Sequence, residues 1–356
     1  MKLLITGICG FAGSSIAEGL LERRAGISII GVDNLMRPGS ELNVSRLRRK
    51  LGVTLVHGDI RLASDFESLP GADWVIDAAA NPSVLAGTQS GFSSRQLVEH
   101  NLASVVNVLE YCKAHRAGFV FLSTSRVYSI DALASLPFCA SGGAFHLDEK
   151  AALPAGVSAQ GIGVDFSTRS PVSLYGSTKL AAEALALEYG AAFEFPVWIN
   201  RCGVLAGAGQ FGTPDQGIFS YWINAHLRRR SLRYIGFDGT GKQTRDVFHP
   251  RDLTALLDAQ MNTSRADGQR LYCAGGGRSN AISLAGLTAW CDARFGSHAP
   301  AADTRPRRYD IPWVIMDSSD AQRDFGWRIE VPMAQVFDEI AQHAGSHPDW
   351  LETSAP

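Results

Sequence analysis

Short apolar runs of strand length alternate with longer amphipathic stretches through the first 200 residues of the chain. The runs that predict buried strands are residues 2–6, 27–33, 53–57, 74–77, 119–123 and 197–201. The stretches with a helical spacing of apolar residues are 13–24, 42–51, 96–115 and 174–189. Because strands that alternate with helices are joined by right-handed crossovers, we expect an α/β fold with a doubly wound parallel sheet. Such a sheet binds ligands at the carboxyl ends of its strands.

Composition excludes several classes of function. Lys and Arg number 33 against 35 Asp and Glu, so the net charge of −2 gives no field that attracts nucleic acid or anionic lipid. No run reaches the roughly 18 apolar residues of a membrane span. The six cysteines are scattered without a Cys-x-x-Cys pair, which disfavours a disulfide framework and a zinc site. We therefore expect buried thiols in a cytoplasmic protein that binds neither nucleic acid nor membrane and holds no metal.

Three glycines, Gly7, Gly10 and Gly13, lie between the first predicted strand and the first predicted helix. In a dinucleotide-binding turn the first glycine permits the tight turn, the second lets backbone amides approach a pyrophosphate, and the third allows close packing of helix on strand. The helix N-terminus adds a partial positive charge for the phosphates. Asp33 ends the second strand, where its carboxylate accepts hydrogen bonds from a ribose and repels a 2′-phosphate. The sequence therefore predicts NAD rather than NADP as the cofactor.

The predicted cofactor site extends from this turn to the ends of the following strands. Asp59 follows the third strand, where a polar residue can contact the adenine. The predicted cofactor-binding residues are Gly7, Gly10, Phe11, Ala12, Gly13, Asp33, Asn34, Asp59, Ile60, Ala78, Ala79, Asn101 and Lys179.

The alternation stops after Cys202, where loop-rich segments with helices predicted at 218–229 and 284–295 indicate a smaller mixed α/β lobe for the substrate. Residues 130–170 lack periodic apolar positions, which is typical of a functional insertion or lid. We expect a Rossmann-type NAD-binding domain, a substrate lobe and a loosely held tail. The predicted division gives 1–201 and 246–275 to the first, 202–245 and 276–345 to the second, and 346–356 to the tail.

Tyr175 and Lys179 are four residues apart at the start of an amphipathic helix, so their side chains share a face. A phenol that acts as a base near pH 7 needs its pKa lowered by about three pH units, which corresponds to roughly 4 kcal/mol. Lys179 and the positive nicotinamide ring are the expected sources of that stabilisation. Thr124 belongs to a hydroxyl cluster at the end of the fifth strand, where it can bridge the substrate oxygen and the tyrosine. The predicted catalytic residues are therefore Thr124, Tyr175 and Lys179.

Taken in chain order, the glycine turn, the Thr124 cluster and Tyr175-x-x-x-Lys179 resemble the extended short-chain dehydrogenase/reductases that act on nucleotide sugars. Within that family, the segments that look most like CDP-paratose 2-epimerases are 33–43, 57–61, 210–217 and 239–247. The resemblance implies that Thr124, Tyr175 and Lys179 act with tightly held NAD, which takes a hydride from a sugar carbon and returns it to the opposite face. It also implies a homodimer.

The resemblance further implies that Arg245 and Arg307 hold the substrate diphosphate, and guanidinium groups do match phosphate oxygens. The predicted substrate-binding residues are Ser83, Ser125, Arg126, Gln216, Arg245 and Arg307. Gln216 lies in a segment that either lines the nucleotide pocket or caps the helix after it. Relatives that eliminate water carry an acidic pair after the threonine, whereas this chain has Ser125 and Arg126, which favours epimerisation.

The expected substrate is a CDP-hexose inverted at C2, with a UDP-hexose inverted at C4 as the alternative. Two other functions stay open on the sequence alone. One is a net dehydrogenase or reductase that releases its cofactor, and the other is an NAD-binding regulator without turnover.

Overall fold

The computed structural model describes residues 1–86, 88, 93–148, 150–263, 268–307 and 309–355. Its strands are β1 (Lys2–Thr6), β2 (Ser28–Asp33), β3 (Thr54–His57), β4 (Trp74–Asp77), β5 (Gly118–Thr124), β6 (Phe138–Ser141), β7 (Ala144–Leu147), β8 (Val157–Ser158), β9 (Gly161–Ile162), β10 (Val197–Cys202), β11 (Val204–Leu205), β12 (Arg233–Ile235), β13 (Thr244–Phe248), β14 (Leu271–Ala274), β15 (Ala281–Ser283), β16 (Ala301–Asp303) and β17 (Trp313–Val314).

Its α-helices are α1 (Phe11–Arg23), α2 (Leu42–Ser45), α3 (Ala63–Glu67), α4 (Ser94–Val98), α5 (Ser104–His115), α6 (Ile130–Ala134), α7 (Ser173–Phe193), α8 (Ile218–Leu227), α9 (Pro250–Asn262), α10 (Leu284–Phe295), α11 (Ser319–Phe325), α12 (Met333–Ser346) and α13 (Trp350–Ser354). Two π-helical turns, Arg46–Lys50 and Glu99–Ala103, extend α2 and join α4 to α5. Three short 3₁₀ turns are Ser125–Val127, Phe237–Gly239 and Arg278–Asn280.

Seven parallel strands form the central sheet in the order β14-β10-β5-β4-β1-β2-β3. They include all six predicted strands, and β14 adds a seventh beside β10. Helices cover both faces, because α1 and α9 pack their apolar residues on one side while α5 and α7 pack theirs on the other. The predicted Rossmann-type parallel sheet is confirmed, and its strand ends face one edge where ligands bind.

The smaller lobe is built around β13, which pairs with β11, β15 and β17. Helices α8, α10 and α12 pack against this sheet and bury Trp222, Leu287 and Phe337 among others. Strand β13 runs directly into α9, which packs against α1 of the central domain. The lobe is therefore joined to the central domain through one continuous strand and helix.

Two segments depart from the predicted division. Helix α11 falls within the range predicted for the lobe, but Phe325 packs in the central core with its ring 5.4 Å from Trp198. The tail is held rather than loose, since Trp350 and Leu351 are buried and the Trp350 ring stacks on Phe211 at 5.3 Å. In both segments the burial of aromatic rings decides the packing.

The insertion at 130–170 forms α6 and two hairpins, β6–β7 and β8–β9, in its described part. The first hairpin docks on the lobe, where Phe145 donates its backbone N–H to the carbonyl of Lys242 at 2.9 Å and packs on the Phe237 ring. The described residues of this segment do not line the cavity of about 1120 Å³ at the carboxyl ends of the central strands. The insertion therefore braces the lobe instead of covering that cavity as a lid.

Among the described residues, no helix is both long and apolar enough to span a membrane. Cys139, on β6, is exposed, whereas the other five cysteines are buried. The expectation of buried thiols is therefore wrong at Cys139, because this hairpin strand has few buried neighbours.

Candidate active site

A cavity of about 1120 Å³ runs along the carboxyl ends of the central strands and continues beneath the smaller lobe. Most of the predicted site residues line it: Gly7, Gly10, Phe11, Ala12, Gly13, Asp33, Asn34, Asp59, Ile60, Ala78, Ala79, Ser83, Thr124, Ser125, Arg126, Tyr175, Gln216, Arg245 and Arg307. Asn101 and Lys179 lie outside its wall. The glycine turn forms one end of the cavity, and the arginines form the other.

The glycine turn fits a pyrophosphate. Gly7 has a φ of +61° and approaches β4 so closely that a Cβ would lie 2.7 Å from the Cα of Ala79. A Cβ on Gly13 would lie 2.4 Å from the carbonyl oxygen of Gly7, so helix α1 packs tightly on the turn. Helix α1 begins at Phe11 with no acidic residue in its first turn, so no side chain there offsets its positive end. The backbone is thus bare and electropositive where the phosphates of NAD would bind.

The carboxylates of Asp33, at the end of β2, and Asp59, after β3, accept hydrogen bonds from neighbouring groups of the protein. Asp33 accepts the backbone N–H groups of Cys9 and Leu35, each at 2.8 Å, and its burial raises the pKa of the carboxyl. Asp59 accepts from Arg61 at 2.6 Å and from Asn34 at 3.1 Å, and the hydrogen bond with Arg61 lowers its pKa. A carboxylate has about four acceptor sites, so Asp33 keeps capacity for a ribose.

Asn101 is a predicted cofactor residue that does not reach the cavity. Its side chain is buried and makes two hydrogen bonds with the backbone of Asn81, accepting at 2.7 Å and donating at 2.9 Å. Asn81 belongs to the loop after β4 that also brings Ala79 and Ser83 to the cavity wall. Asn101 therefore holds the loop after β4 through the backbone of Asn81 and does not line the cavity itself. An asparagine in the sequence is equally compatible with either role.

Tyr175 and Thr124 meet in the middle of the cavity. Both side chains line the cavity, and the Thr124 Oγ1 accepts the backbone N–H of Arg126 at 3.2 Å. Burial raises the pKa of Tyr175 to about 12, against the opposing effects of the Thr124 side chain and the Arg126 charge. The lowered phenol pKa expected from the sequence is therefore not a property of this pocket by itself.

Lys179 lies beside Tyr175 on α7 but turns into the sheet. Its Nζ donates to the carbonyl of Leu122 at 2.9 Å and lies 4.2 Å from the centre of the Phe121 ring. Burial lowers the pKa of Lys179, while the charge of Asp77 opposes that effect. The stabilisation of the Tyr175 phenolate by Lys179 stays a prediction, since the ammonium of Lys179 is hydrogen-bonded to the sheet in this structure.

The third element of the site is a group of guanidinium side chains. Arg126 donates to the carbonyl of Tyr309 at 3.2 Å, and Arg245 donates to the carbonyl of Ile311 at 2.6 Å. Burial lowers the pKa of Arg245, and the carboxylate of Asp310, 3.9 Å away, opposes that effect. These arginines reach one cavity from the turn after β5 and from β13, so the fold gathers positive charge beneath the lobe.

The loop 210–217 closes this end of the cavity. Arg307 pairs with Asp215 at 2.6 Å, and Gln216 accepts a hydrogen bond from Arg37 at 3.3 Å. The left-handed Gly217 occupies the N-cap of α8, which has no side-chain cap, so Gln216 lines the cavity rather than capping the helix. Arg37 was not predicted; its position four residues after Asp33, in the loop that follows β2, is the signal that places it at the cavity.

Comparisons with known proteins agree with this geometry. The family model described as "NAD dependent epimerase/dehydratase family" matches residues 3–275. The CDP-paratose 2-epimerase of Salmonella typhi is 30% identical over 290 residues, which cover 80% of this chain and 81% of that protein. An uncharacterized UDP-glucose epimerase of Bacillus subtilis (strain 168) is 28% identical over 292 residues, or 81% of each chain.

Solved structures share the fold. The UDP-glucuronic acid 4-epimerase of Bacillus cereus, in complex with UDP-glucuronic acid and NAD, has a TM-score of 0.76 at 23% identity and covers 97% of this chain and 99% of its own. The UDP-glucose 4-epimerase of Thermotoga maritima, with UDP-glucose, has a TM-score of 0.77 at 19% identity, covering 98% and 100%. With the family model matching most of the chain, the protein belongs to the NAD-dependent epimerase/dehydratase family.

Proposed function

We propose that this protein is an NAD-dependent epimerase of a nucleotide sugar. One observation carries the proposal: Thr124 and Tyr175 line a single cavity between the glycine turn and the arginines. A dinucleotide at the turn and a diphosphate at the arginines would leave the sugar in between, beside the phenol. Similarity to several nucleotide-sugar epimerases supports the same conclusion.

Each residue of the pair has a defined task in an epimerisation. NAD, when bound, supplies an acceptor for the hydride of a sugar carbon and the donor for its return. Tyr175, as the phenolate, takes the proton of the sugar hydroxyl, so that the C–O bond becomes a carbonyl, and gives the proton back in the reverse step. Thr124 orients the sugar oxygen towards the phenol through its hydroxyl.

The arginines would anchor the substrate while the sugar turns. Epimerisation needs both faces of the carbonyl to meet the cofactor, which requires a fixed diphosphate and a rotating hexose. Arg245 and Arg307, supported by Arg126, offer guanidinium N–H groups that match phosphate oxygens. Ser125 and Arg126 stand where a dehydrating relative has acids, so a base for proton removal at C5 is missing from these two positions.

We propose a CDP-hexose inverted at C2 as the substrate, with a UDP-hexose inverted at C4 as the alternative. The 30% identity to a CDP-paratose 2-epimerase favours the first. The test is to incubate the purified protein with CDP-paratose and with UDP-glucose and to assign the products by NMR. Inversion at C2 supports the first candidate and inversion at C4 the second, whereas no inversion of either would contradict both.

The mechanism is tested by Tyr175→Phe. We expect the rate of inversion to fall by about 10³-fold, since general base catalysis contributes up to about 10⁴-fold. The matched control is Tyr189→Phe on the same helix, because the Tyr189 hydroxyl donates to Glu110 at the surface. Full activity of Tyr175→Phe would contradict the assignment of the base.

The wild-type protein distinguishes the alternative reaction. Stoichiometric release of NADH during turnover would indicate a net dehydrogenase instead of an epimerase.

We also propose that the protein acts as a homodimer in the cytoplasm, in the biosynthesis of carbohydrate. Large apolar side chains are exposed on the adjacent helices α4, α5 and α7, including Val98 at 41% and Phe193 at 42%. Exposed apolar surface of this kind marks contact with another chain when it is contiguous. Light scattering tests the oligomeric state, and a monomer at micromolar concentration would contradict it.

A further inference from the structure

A buried ion pair joins Glu183 on α7 to Arg201 on β10. The Arg201 Nε donates to both carboxylate oxygens of Glu183, at 3.1 and 3.2 Å, and its Nη2 donates to Oε2 at 2.7 Å. The two side chains are 4% and 5% exposed, so salt screens the ion pair only weakly. Neither residue lines the cavity that would hold the sugar. Because parallel bonds to a planar guanidinium fix both distance and direction, the ion pair fixes where this part of α7 lies on the sheet.

Glu183 also bonds the strand that carries Thr124. Ser123, the residue directly before Thr124 on β5, donates its hydroxyl to the Glu183 carboxylate. Lys179 lies one helical turn before Glu183, and its Nζ donates to the carbonyl of Leu122 at 2.9 Å. Successive turns of α7 are therefore bonded to successive residues of β5, immediately before Thr124.

The first turn of α7 packs on the other side of Thr124, against the 3₁₀ turn that follows β5. A Cβ on Gly176, the residue after Tyr175, would lie 2.2 Å from the carbonyl oxygen of Arg126. The helix therefore contacts the chain both before and after Thr124. A shift of α7 relative to β5 would change the separation of Tyr175 from Thr124.

Arg201 connects two further segments to this arrangement. On β10 it lies beside Ser123 in the register of β5 and β10. Its Nη1 donates to the carbonyl of Val164 at 3.0 Å, and its Cζ lies 5.1 Å from the centre of the Tyr128 ring. Val164 belongs to the insertion at 130–170. The insertion thus supplies a hydrogen bond to the guanidinium that holds α7 on the sheet.

Stability alone does not account for an ion pair in this position. Desolvation of two buried charges offsets much of their attraction, and apolar side chains of similar volume often replace such a pair without loss of stability. The effect on geometry is larger, because a displacement of about 1 Å between reacting groups can lower a rate about 100-fold.

We propose that Glu183 and Arg201 are positioning residues that fix α7 against β5 and thereby set the separation of the Tyr175 phenol from the Thr124 hydroxyl. This role rests on the proposed function of Tyr175 and Thr124, and it does not depend on which sugar is bound. Neither member of the ion pair gains or loses a proton in the reaction. Lys179 is on the same helix, so the ion pair fixes its position together with that of Tyr175.

The test replaces both charges at once, in Glu183→Gln/Arg201→Met. No isolated charge is left, the glutamine still accepts from Ser123, and the methionine keeps the apolar stem of the arginine. We therefore expect the thermal unfolding midpoint to stay within about 5 °C of the wild-type value. Crystal structures of the two proteins with NAD should show the Tyr175 Oη farther from the Thr124 Oγ1 in the variant, by about 0.5–1 Å. This measurement needs no substrate.

Kinetics with the substrate found by the product assay separate positioning from binding. We expect kcat of the double variant to fall about 30-fold while KM stays within about twofold, because the contacts of the nucleotide are untouched. Arg201→Lys keeps the charge but offers a point contact instead of a planar fork, so it should lower kcat about tenfold. It takes the place of the double variant if that variant does not fold.

The matched control is Asn200→Leu/Gln260→Met, which removes a buried polar pair from the same strand on the opposite face of the sheet. Asn200 precedes Arg201 on β10 and exchanges two amide hydrogen bonds with Gln260 of α9, each at 2.9 Å. We expect this control to leave kcat and the separation of Tyr175 from Thr124 unchanged.

Three results would overturn the proposal: an unchanged kcat in the folded double variant, an equal fall of kcat in the control, or a fall of kcat without displacement of the phenol. A higher KM at unchanged kcat would overturn it too, since it would assign the ion pair to substrate binding. If the wild type inverts no nucleotide sugar but the separation widens in the double variant, the proposed function fails while the positioning role of Glu183 and Arg201 stands.

Discussion

The two ends of the cavity are held together by contacts of different range. At the glycine end the bonds join residues close in sequence: Gly10 donates to Gly7, Leu35 donates to Asp33 two residues before it, and Cys9 donates to Asp33 across 24 residues. At the arginine end the partners are distant in sequence, with Arg126 and Tyr309 183 residues apart and Arg307 and Asp215 92 apart. The cofactor end is thus specified by a short stretch of chain, whereas the substrate end exists only once the lobe has packed.

The largest expected effect comes from a residue outside the cavity. Trp350→Ala removes a ring that stacks on Phe211 and an indole N–H that donates to Gln210 at 2.9 Å. We expect the free energy of unfolding to fall by about 4 kcal/mol, since truncation of a buried tryptophan costs about 3–5 kcal/mol. Hydrogen exchange should rise in the loop 210–217, and the affinity for UDP or CDP should fall, while NAD affinity stays unchanged.

Trp350→Phe is the control for this change, because it keeps a ring against Phe211 and loses only the hydrogen bond. It should cost about 1 kcal/mol. Equal loss of NAD and nucleotide affinity in Trp350→Ala would contradict the separation of the two ends.

NAD affinity should fall when a residue of the glycine turn itself is changed. In Gly13→Ala the new Cβ meets the carbonyl oxygen of Gly7 at 2.4 Å and the Cα of Ile8 at 2.7 Å, both backbone atoms that cannot rotate away. We expect NAD affinity to fall about 100-fold by calorimetry, equivalent to roughly 3 kcal/mol of misfit.

The matched control is Gly345→Ala in α12, another helical glycine, where an added Cβ has no neighbour within 4 Å. It should raise stability by up to about 1 kcal/mol, because alanine is the better helix former. Unaltered NAD binding in Gly13→Ala would show that the close packing of α1 on the turn is dispensable.

The arginine end should lose nucleotide affinity alone when a guanidinium is removed. In Arg307→Gln we expect the dissociation constant for the substrate nucleotide to rise by about 30-fold, because hydrogen bonds to charged groups contribute about 1.5–3 kcal/mol. Calorimetry with UDP and with CDP, each with and without NAD, measures it. Arg305→Gln is the control, since Arg305 pairs with Asp303 at the surface. A weakened NAD complex in Arg307→Gln would place this arginine at the other ligand.

The same difference in the sequence separation of contacts explains which parts of the structure the sequence predicts. The strands, the glycine turn and the end of β2 follow from local patterns, so the sheet and the position of the glycine turn at its edge could be predicted. The direction of the Lys179 side chain could not, because helical spacing puts it beside Tyr175 but only the packed sheet offers the Leu122 carbonyl. The hydrogen bonds of Asn101 and the packing of the tail could not be predicted for the same reason. Their partners, Asn81 and Phe211, are distant in sequence or lie in no recognisable motif.

The smallest expected effect tests a side-chain contact that runs from the loop after β2 to the loop 210–217. Arg37 donates to Gln216 at 3.3 Å and to the carbonyl of Phe211 at 3.4 Å, which are long bonds at a partly exposed site. In Arg37→Gln we expect nucleotide affinity to fall about threefold, or roughly 0.7 kcal/mol, with NAD affinity unchanged. Because the loop that carries Arg37 begins beside Asp33, the more sensitive measurement is whether NAD still tightens nucleotide binding in the variant. If NAD tightens binding equally in the wild type and in Arg37→Gln, the two ends are coupled through the sugar site rather than through this contact. If NAD no longer tightens nucleotide binding in Arg37→Gln, Arg37 is the residue through which the cofactor end of the cavity stabilises the substrate end.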